Sequence, residues 1–204
     1  MKKIFISIIL FLGILLFASG RAEAASLAKT SVKLYEMNEY DKAIYTNISI
    51  PSNLLQSYKI VVKDNTGTPV FSSENESIAK VDAAGNIIPT TRSCYYMGYG
   101  TFKDYVFGET NIIVKVDGQT LKCNVKIIDY LDYYCKNEAT KWVNNNITND
   151  LTNYQKFEKI VKHVAEDFDY NASYSSYRSM ILKGGGDCWA SSDAIVTLCN
   201  LVRN

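Results

Sequence analysis

The residues best placed to do chemistry lie in Gly184-Gly185-Gly186-Asp187-Cys188-Trp189. Three glycines let the backbone turn sharply and approach closely, and Asp187 suits the N-cap of a helix beginning at Cys188. In the first turn of a helix, unpaired N–H groups and the positive end of the dipole favour thiolate over thiol. The same N–H groups can bind the oxyanion of an acyl-transfer transition state. Cys188 therefore reads as a candidate sulfur nucleophile; the alternative is a cysteine that packs or forms a disulfide. Helical spacing sets Cys188, Ile195, Cys199 and Val202 on one stripe beside Leu198, so the side carrying Cys188 is expected to be buried with only its tip facing a cleft.

A cysteine enzyme also needs a general base and a group to orient it. The chain has a single histidine, His163. At ~100° per residue, His163 falls about 130° from the centre of its helix's apolar stripe, so it is expected on the solvated face and is not assigned to Cys188. Other chemistries lack their residues. There is no CxxC pair or histidine cluster for zinc. The glycine triplet lacks the Lys-Ser/Thr of a phosphate loop, and no cofactor is expected. Asp64, Asp82 and Asp117 read as turn formers rather than calcium ligands.

The elements that must position Cys188 change character near residue 130. Before it, short β-branched and aromatic runs at 31–35, 43–50, 58–64, 69–73, 78–82, 110–117 and 121–129 are separated by turn signals. They predict about seven strands of an antiparallel sandwich. Asp117-Gly118 between two alternating runs is a hairpin signal. The aromatic-rich stretch 93–107 interrupts the series as an insertion, suited to a binding loop or to covering a sheet edge or domain junction. After 130 the period is helical. Leu131, Tyr134, Cys135, Ala139, Trp142 and Val143 share a face. Thr152 and Gln155 form a capping-box pattern that opens a helix striped by Tyr154, Phe157, Ile160, Val161, Val164 and Phe168. A Ser/Tyr-rich loop at 172–179 leads to the glycines.

Lys2 and Lys3, the apolar run Ile4–Phe17 and Ala22-Glu23-Ala24 form the three parts of a secretory signal peptide over 1–24. The run of about 14 residues is short of the ~20 that span a bilayer, so a secreted or cell-surface protein with no membrane association after leader removal is expected. The full chain carries +1 and stays near neutral without the leader, which gives no electrostatic footprint for nucleic acid. Five cysteines in an oxidising compartment leave an odd thiol. Cys94 and Cys123 could pair, and Cys135 and Cys199 could pair or pack as thiols; either scheme leaves Cys188 free.

Two resemblances follow from these residues. SSENESIAKVDAAGNI (72–87) with GETNIIVKVDGQTLKCNVKIID (108–129) resembles the bacterial immunoglobulin-like domains of the intimin and invasin type, over about 30–130. FEKIVKHVAEDFDYN (157–171) followed by GGGDCWASSDAIVTLCNLVRN (184–204) resembles the transglutaminase-like superfamily, over 131–204. The resemblance implies a multidomain β then α+β chain, in which an immunoglobulin-like sandwich precedes the helical front part of a papain-like core. It implies Cys188 as nucleophile for acyl transfer or amide hydrolysis on a protein or peptide substrate. The family's His and Asp follow the Cys on strands, whereas the sequence stops at Asn204. The chain is thus expected to be inactive alone, and the region beyond 150 is expected to fold poorly alone or to pair with another chain because its stripes lack a covering sheet. The alternative is a non-catalytic module that binds a cell-surface or cell-wall partner.

Overall fold

The computed structural model describes residues 24–203, and the leader read at 1–24 lies outside them save for Ala24. The described chain is α+β. Its first part runs β1 (Ser26–Leu27), β2 (Ser31–Glu36), α1 (Glu39–Ile44), β3 (Val62–Lys63), β4 (Val70–Ser73), β5 (Ala79–Val81) and β6 (Ile87–Pro89), then β7 (Thr91–Tyr96), β8 (Gly100–Tyr105), β9 (Gly108–Val116) and β10 (Gln119–Asp129). The second runs α2 (Tyr130–Asn146), α3 (Asn153–Glu166), β11 (Asp169–Tyr170), α4 (Tyr177–Lys183), β12 (Gly185–Gly186) and α5 (Cys188–Arg203).

The main sheet has the order β2-β10-β9-β4. Its register puts Ser31 beside Asn124 in a parallel pair, and the other two pairs are antiparallel. The sheet is therefore mixed, where seven strands of purely antiparallel order were expected. Alternation does the sorting: Val32, Leu34, Ile112, Val114, Cys123, Val125 and Ile127 are buried on one face. Ile60, Ala79 and Ile87 close over that face from the short pairs and loops, in the same core. The Asp117-Gly118 turn forms as read, with φ of 50° and 73° and Val116 opposite Gln119, a two-residue turn whose twist suits the strands. Asp117 also accepts the N–H groups of Thr66 and Gly67 at 2.8 and 2.7 Å. Asp82 accepts those of Ala84 and Asn86 at 2.9 and 2.8 Å. Both aspartates are turn formers.

Two segments differ from expectation. The run 43–50, read as a strand, starts as the end of α1 and continues without regular structure. Its β-branched residues are overruled by contacts made just upstream. Asn38 and Glu39 accept the N–H groups of Tyr105 and Lys103, and Asp41 meets Arg178. The 93–107 insertion is a hairpin, β7–β8, paired from Thr91↔Tyr105 to Tyr96↔Gly100, and it docks on α1 through Tyr40 and Tyr96.

Strand β10 passes directly into α2. Asp129 ends the strand and caps the helix by accepting the Leu131 N–H at 2.9 Å. The Thr152/Gln155 capping box forms as read. The helices beyond 130 cover one another in part. Ala139, Val143, Ile160, Val164, Met180, Ala190, Ala194 and Leu198 make one buried core from α2, α3, α4 and α5. Small alanines on α5 let the neighbouring helices close in around Leu198. Coverage of α3 is partial, since Tyr154 and Phe157 stay exposed.

Candidate functional site

The glycine triplet divides its work. Gly184 ends α4 in the left-handed region, with φ of 77°, a conformation that costs glycine little. Gly185 and Gly186 pair in parallel with Asp169 and Tyr170. A Cβ at Gly185 would strike the Asp169 carbonyl, and one at Gly186 would lie 2.7 Å from Met180 Cγ and against Ala190 Cβ. This packing fixes where α5 starts.

Asp187 then caps α5. Its Oδ1 accepts the Ala190 N–H at 2.9 Å and its Oδ2 accepts the Ser175 hydroxyl at 2.6 Å. The Ser175 hydroxyl first, then the backbone N–H groups, hold the Asp187 carboxyl below the usual carboxylate range. The cap thus occupies first-turn donors that the sequence reading assigned to an oxyanion. Cys188 follows in the first turn and is exposed, as are its neighbours Trp189 and Tyr170. This corrects the expected stripe: α5 buries Ala190, Ala194 and Leu198, while Ile195, Cys199 and Val202 are only partly buried. Cys188 stands at the edge of the covered arc, so its sulfur is open to solvent.

His163 also departs from expectation. Its side chain is 11% exposed, because the Trp142 indole of α2 stacks on it at 4.0 Å and 13°. Phe168 meets it edge-on at 5.3 Å, and Nδ1 lies 2.5 Å from Asp167 Oδ2. The spacing of apolar residues along α3 carries no trace of a ring that arrives from α2. Asp167 precedes β11 and Cys188 follows β12, so the parallel pair sets the His163–Asp167 couple and the thiol at opposite ends. The structure does not bring His163 to Cys188.

Arg178 is the residue sequence reasoning missed. Its guanidinium meets Asp41 of α1 at 2.7 Å, Asp129 of β10 at 2.9 Å and Asp132 of α2 at 3.1 Å. Asp41 and Asp129 are buried, and burial pushes both carboxyls up while Arg178 pulls them down. Beside it, Lys183 donates to the Ile44 carbonyl at 3.1 Å and lies over the Tyr45 ring. Together these contacts bind the helical part to the β part. No local signal marks Arg178, since Asp41 is 137 residues away in sequence. A cleft of about 390 Å³ opens beside it, lined among others by Asp132, Cys135, Tyr177 and Asp193. Cys188 is not part of that lining.

All five cysteines are thiols: Cys94 and Cys123 do not pair, and Cys135 and Cys199 are unpaired thiols rather than a disulfide. Cys123 is sealed in the main-sheet core and Cys94 sits on the separate β7–β8 hairpin. Burial pushes the Cys123 thiol up, and the Cys135 thiol to about 12, which suppresses nucleophilicity at both. Among the described residues, no cluster of three or more His, Cys, Asp or Glu could hold a metal ion, and no helix is long and apolar enough to cross a membrane. No family model matches this chain, and no curated protein matches it.

Proposed function

We propose that the chain is an exported transglutaminase-like protein with an immunoglobulin-like β-sandwich in front, and that Cys188 is its nucleophile. The observation that carries this reading is an exposed thiol in the first turn of a helix whose start is fixed by Gly185, Gly186 and Asp187. In the reaction, the Cys188 thiolate attacks a carboxamide carbon and the C–N bond breaks. The amine leaves with a proton, and the thioester then passes its acyl group to water or to a second amine. A base must take the thiol proton and return it to the leaving amine. The one histidine is held by Asp167, Trp142 and Phe168, so this chain is expected to show no turnover on glutamine or peptide substrates.

An activated ester tests the thiol apart from any base, because its leaving group needs no proton. We expect p-nitrophenyl acetate to acetylate Cys188 ahead of the other four cysteines, read by peptide mass mapping. Acetyl groups on the others with none on Cys188 would contradict the reading. Turnover of a glutamine peptide that vanishes in Cys188→Ala would keep the nucleophile and overturn the expected inactivity. The second reading is a non-catalytic secreted or cell-surface binding module, and the engagement of His163 away from Cys188 favours it.

A further inference from the structure

Hairpin β7–β8 has two edges, and only one of them is closed. The Val106 N–H donates to the Thr90 carbonyl at 2.9 Å, and in an antiparallel pair opposite residues exchange bonds at every second position. In the register that sets Thr91 beside Tyr105, Arg92, Cys94 and Tyr96 therefore bond across to Asp104, Phe102 and Gly100. The main-chain groups of the residues between them point away from the hairpin. On β8 those outward donors are taken, since the Lys103 and Tyr105 N–H groups donate to Glu39 and Asn38 at 2.8 and 2.9 Å. On β7 they belong to Thr91, Ser93 and Tyr95, and among the described residues β7 pairs with no strand but β8. All three residues are exposed, and Tyr95 is 75% exposed. By contrast, the outer edge of strand β2 in the main sheet is met by a loop, with the Tyr35 N–H donating to the Leu55 carbonyl at 2.8 Å.

A row of unpaired N–H and C=O groups along a strand is a template for another strand. Strand β7 carries neither proline nor bulge to blunt that edge, and its register with β8 runs unbroken from Thr91 to Tyr96. Its own sequence supplies the complement. Two copies of β7 laid antiparallel about a two-fold axis at Ser93 set Thr91 opposite Tyr95 of the second copy, Ser93 opposite Ser93, and Tyr95 opposite Thr91. Every outward group of the strand then finds a partner, with each pair exchanging both bonds. An axis one residue to either side pairs only two of these three positions within β7. The side chains agree with this register. Thr beside Tyr joins a β-branched and an aromatic residue across the strands, a favourable pair. The one charge of β7, Arg92, stands opposite Cys94 of the second copy, so no like charges face each other directly. Helix α1 bonds to the far edge of β8, which keeps those contacts off the pairing edge. We propose that the chain forms a two-fold dimer by antiparallel pairing of β7 with β7 of a second copy, centred on Ser93, so that the two hairpins make one continuous sheet.

The inference is independent of the chemistry at Cys188. It is tested by sedimentation velocity and amide hydrogen exchange on the full chain over a concentration series. The expected result is a reversible monomer–dimer equilibrium, unchanged in Cys188→Ala. The Thr91, Ser93 and Tyr95 amides should exchange more slowly as the dimer fills, while the Lys103 and Tyr105 amides stay as they are. Ser93→Pro removes the central N–H of each copy and spares the bonds to β8, so the hairpin should persist. Dimer affinity should then fall about tenfold or more. Ser93→Lys sets two like charges opposite each other across the axis and should weaken the dimer severalfold, with added salt restoring part of the loss. The melting temperature of each variant, taken at a concentration where the parent chain is monomeric, serves as the fold control. A monomer at every concentration up to about 1 mM would overturn the proposal. A dimer indifferent to both Ser93 variants would also overturn it, and loss of that dimer in Phe157→Ser would move the contact to α3.

Discussion

Asp129 opens helix α2 and Asp187 opens helix α5, each by accepting a first-turn N–H at 2.9 Å. Their surroundings differ. Asp129 is buried and shares Arg178 with Asp41 and Asp132. Asp187 is half-exposed, and its second oxygen takes only the Ser175 hydroxyl. The first cap is spent on joining two halves of the molecule. The second leaves the residue that follows it, Cys188, facing solvent. A helix start serves architecture when a buried cation locks it, and is free for chemistry when small residues seat it and nothing covers it.

The largest expected effect comes from breaking the buried side of this contrast. Arg178→Ala strands two buried carboxylates, and it should cost about 3–5 kcal/mol in urea unfolding. A loss below about 1 kcal/mol, the level of an exposed pair, would show that the junction is not held this way. Next comes the seat of α5. Gly186→Ala forces a Cβ onto Met180 and Ala190 and should cost about 1–3 kcal/mol by overpacking. An unchanged melting curve would remove the glycine argument.

The two caps should also titrate in opposite directions. Burial raises the Asp129 carboxyl, so its contribution to stability is present below the ordinary carboxylate range and fades as pH rises through its raised folded value. Hydrogen bonds lower the Asp187 carboxyl, so its contribution is present above the ordinary range and is lost as pH falls through its depressed value. Carboxyl NMR should place the Asp129 midpoint above that of a free aspartate and the Asp187 midpoint below it. On acidification, the Ala190 amide should lose exchange protection before the Leu131 amide. Midpoints in the reverse order would invert the comparison.

The parts legible in the sequence were those decided within a few residues. Asp117-Gly118 needs only its own φ values, Thr152 and Gln155 satisfy each other, and the buried positions of α2 follow one helical face. The Asp187-Cys188 helix start was legible for the same reason. What escaped was set by distant partners. Helix α1 forms where β-rich spacing suggested a strand because Asn38 and Glu39 serve the β7–β8 hairpin. His163 is covered by a ring from another helix. Helix α4 begins inside the run 172–179 read as a loop and has its own Ser176–Ser179 capping box, a local signal hidden in a serine-rich run. Cys188 was expected on a buried side because the α5 stripe was centred on Ile195 and Cys199, when the alanines at 190 and 194 mark the true packing face.

The most direct test of the account is the order in which the thiols react. The folded chain is treated with limiting iodoacetamide at neutral pH, quenched and mapped by mass. Cys188 should be alkylated first, at least about tenfold faster than buried Cys123 and Cys135. Alkylation of Cys188 no faster than those two, or recovery of Cys188 in a disulfide, would contradict the assignment of an open nucleophile at the start of α5.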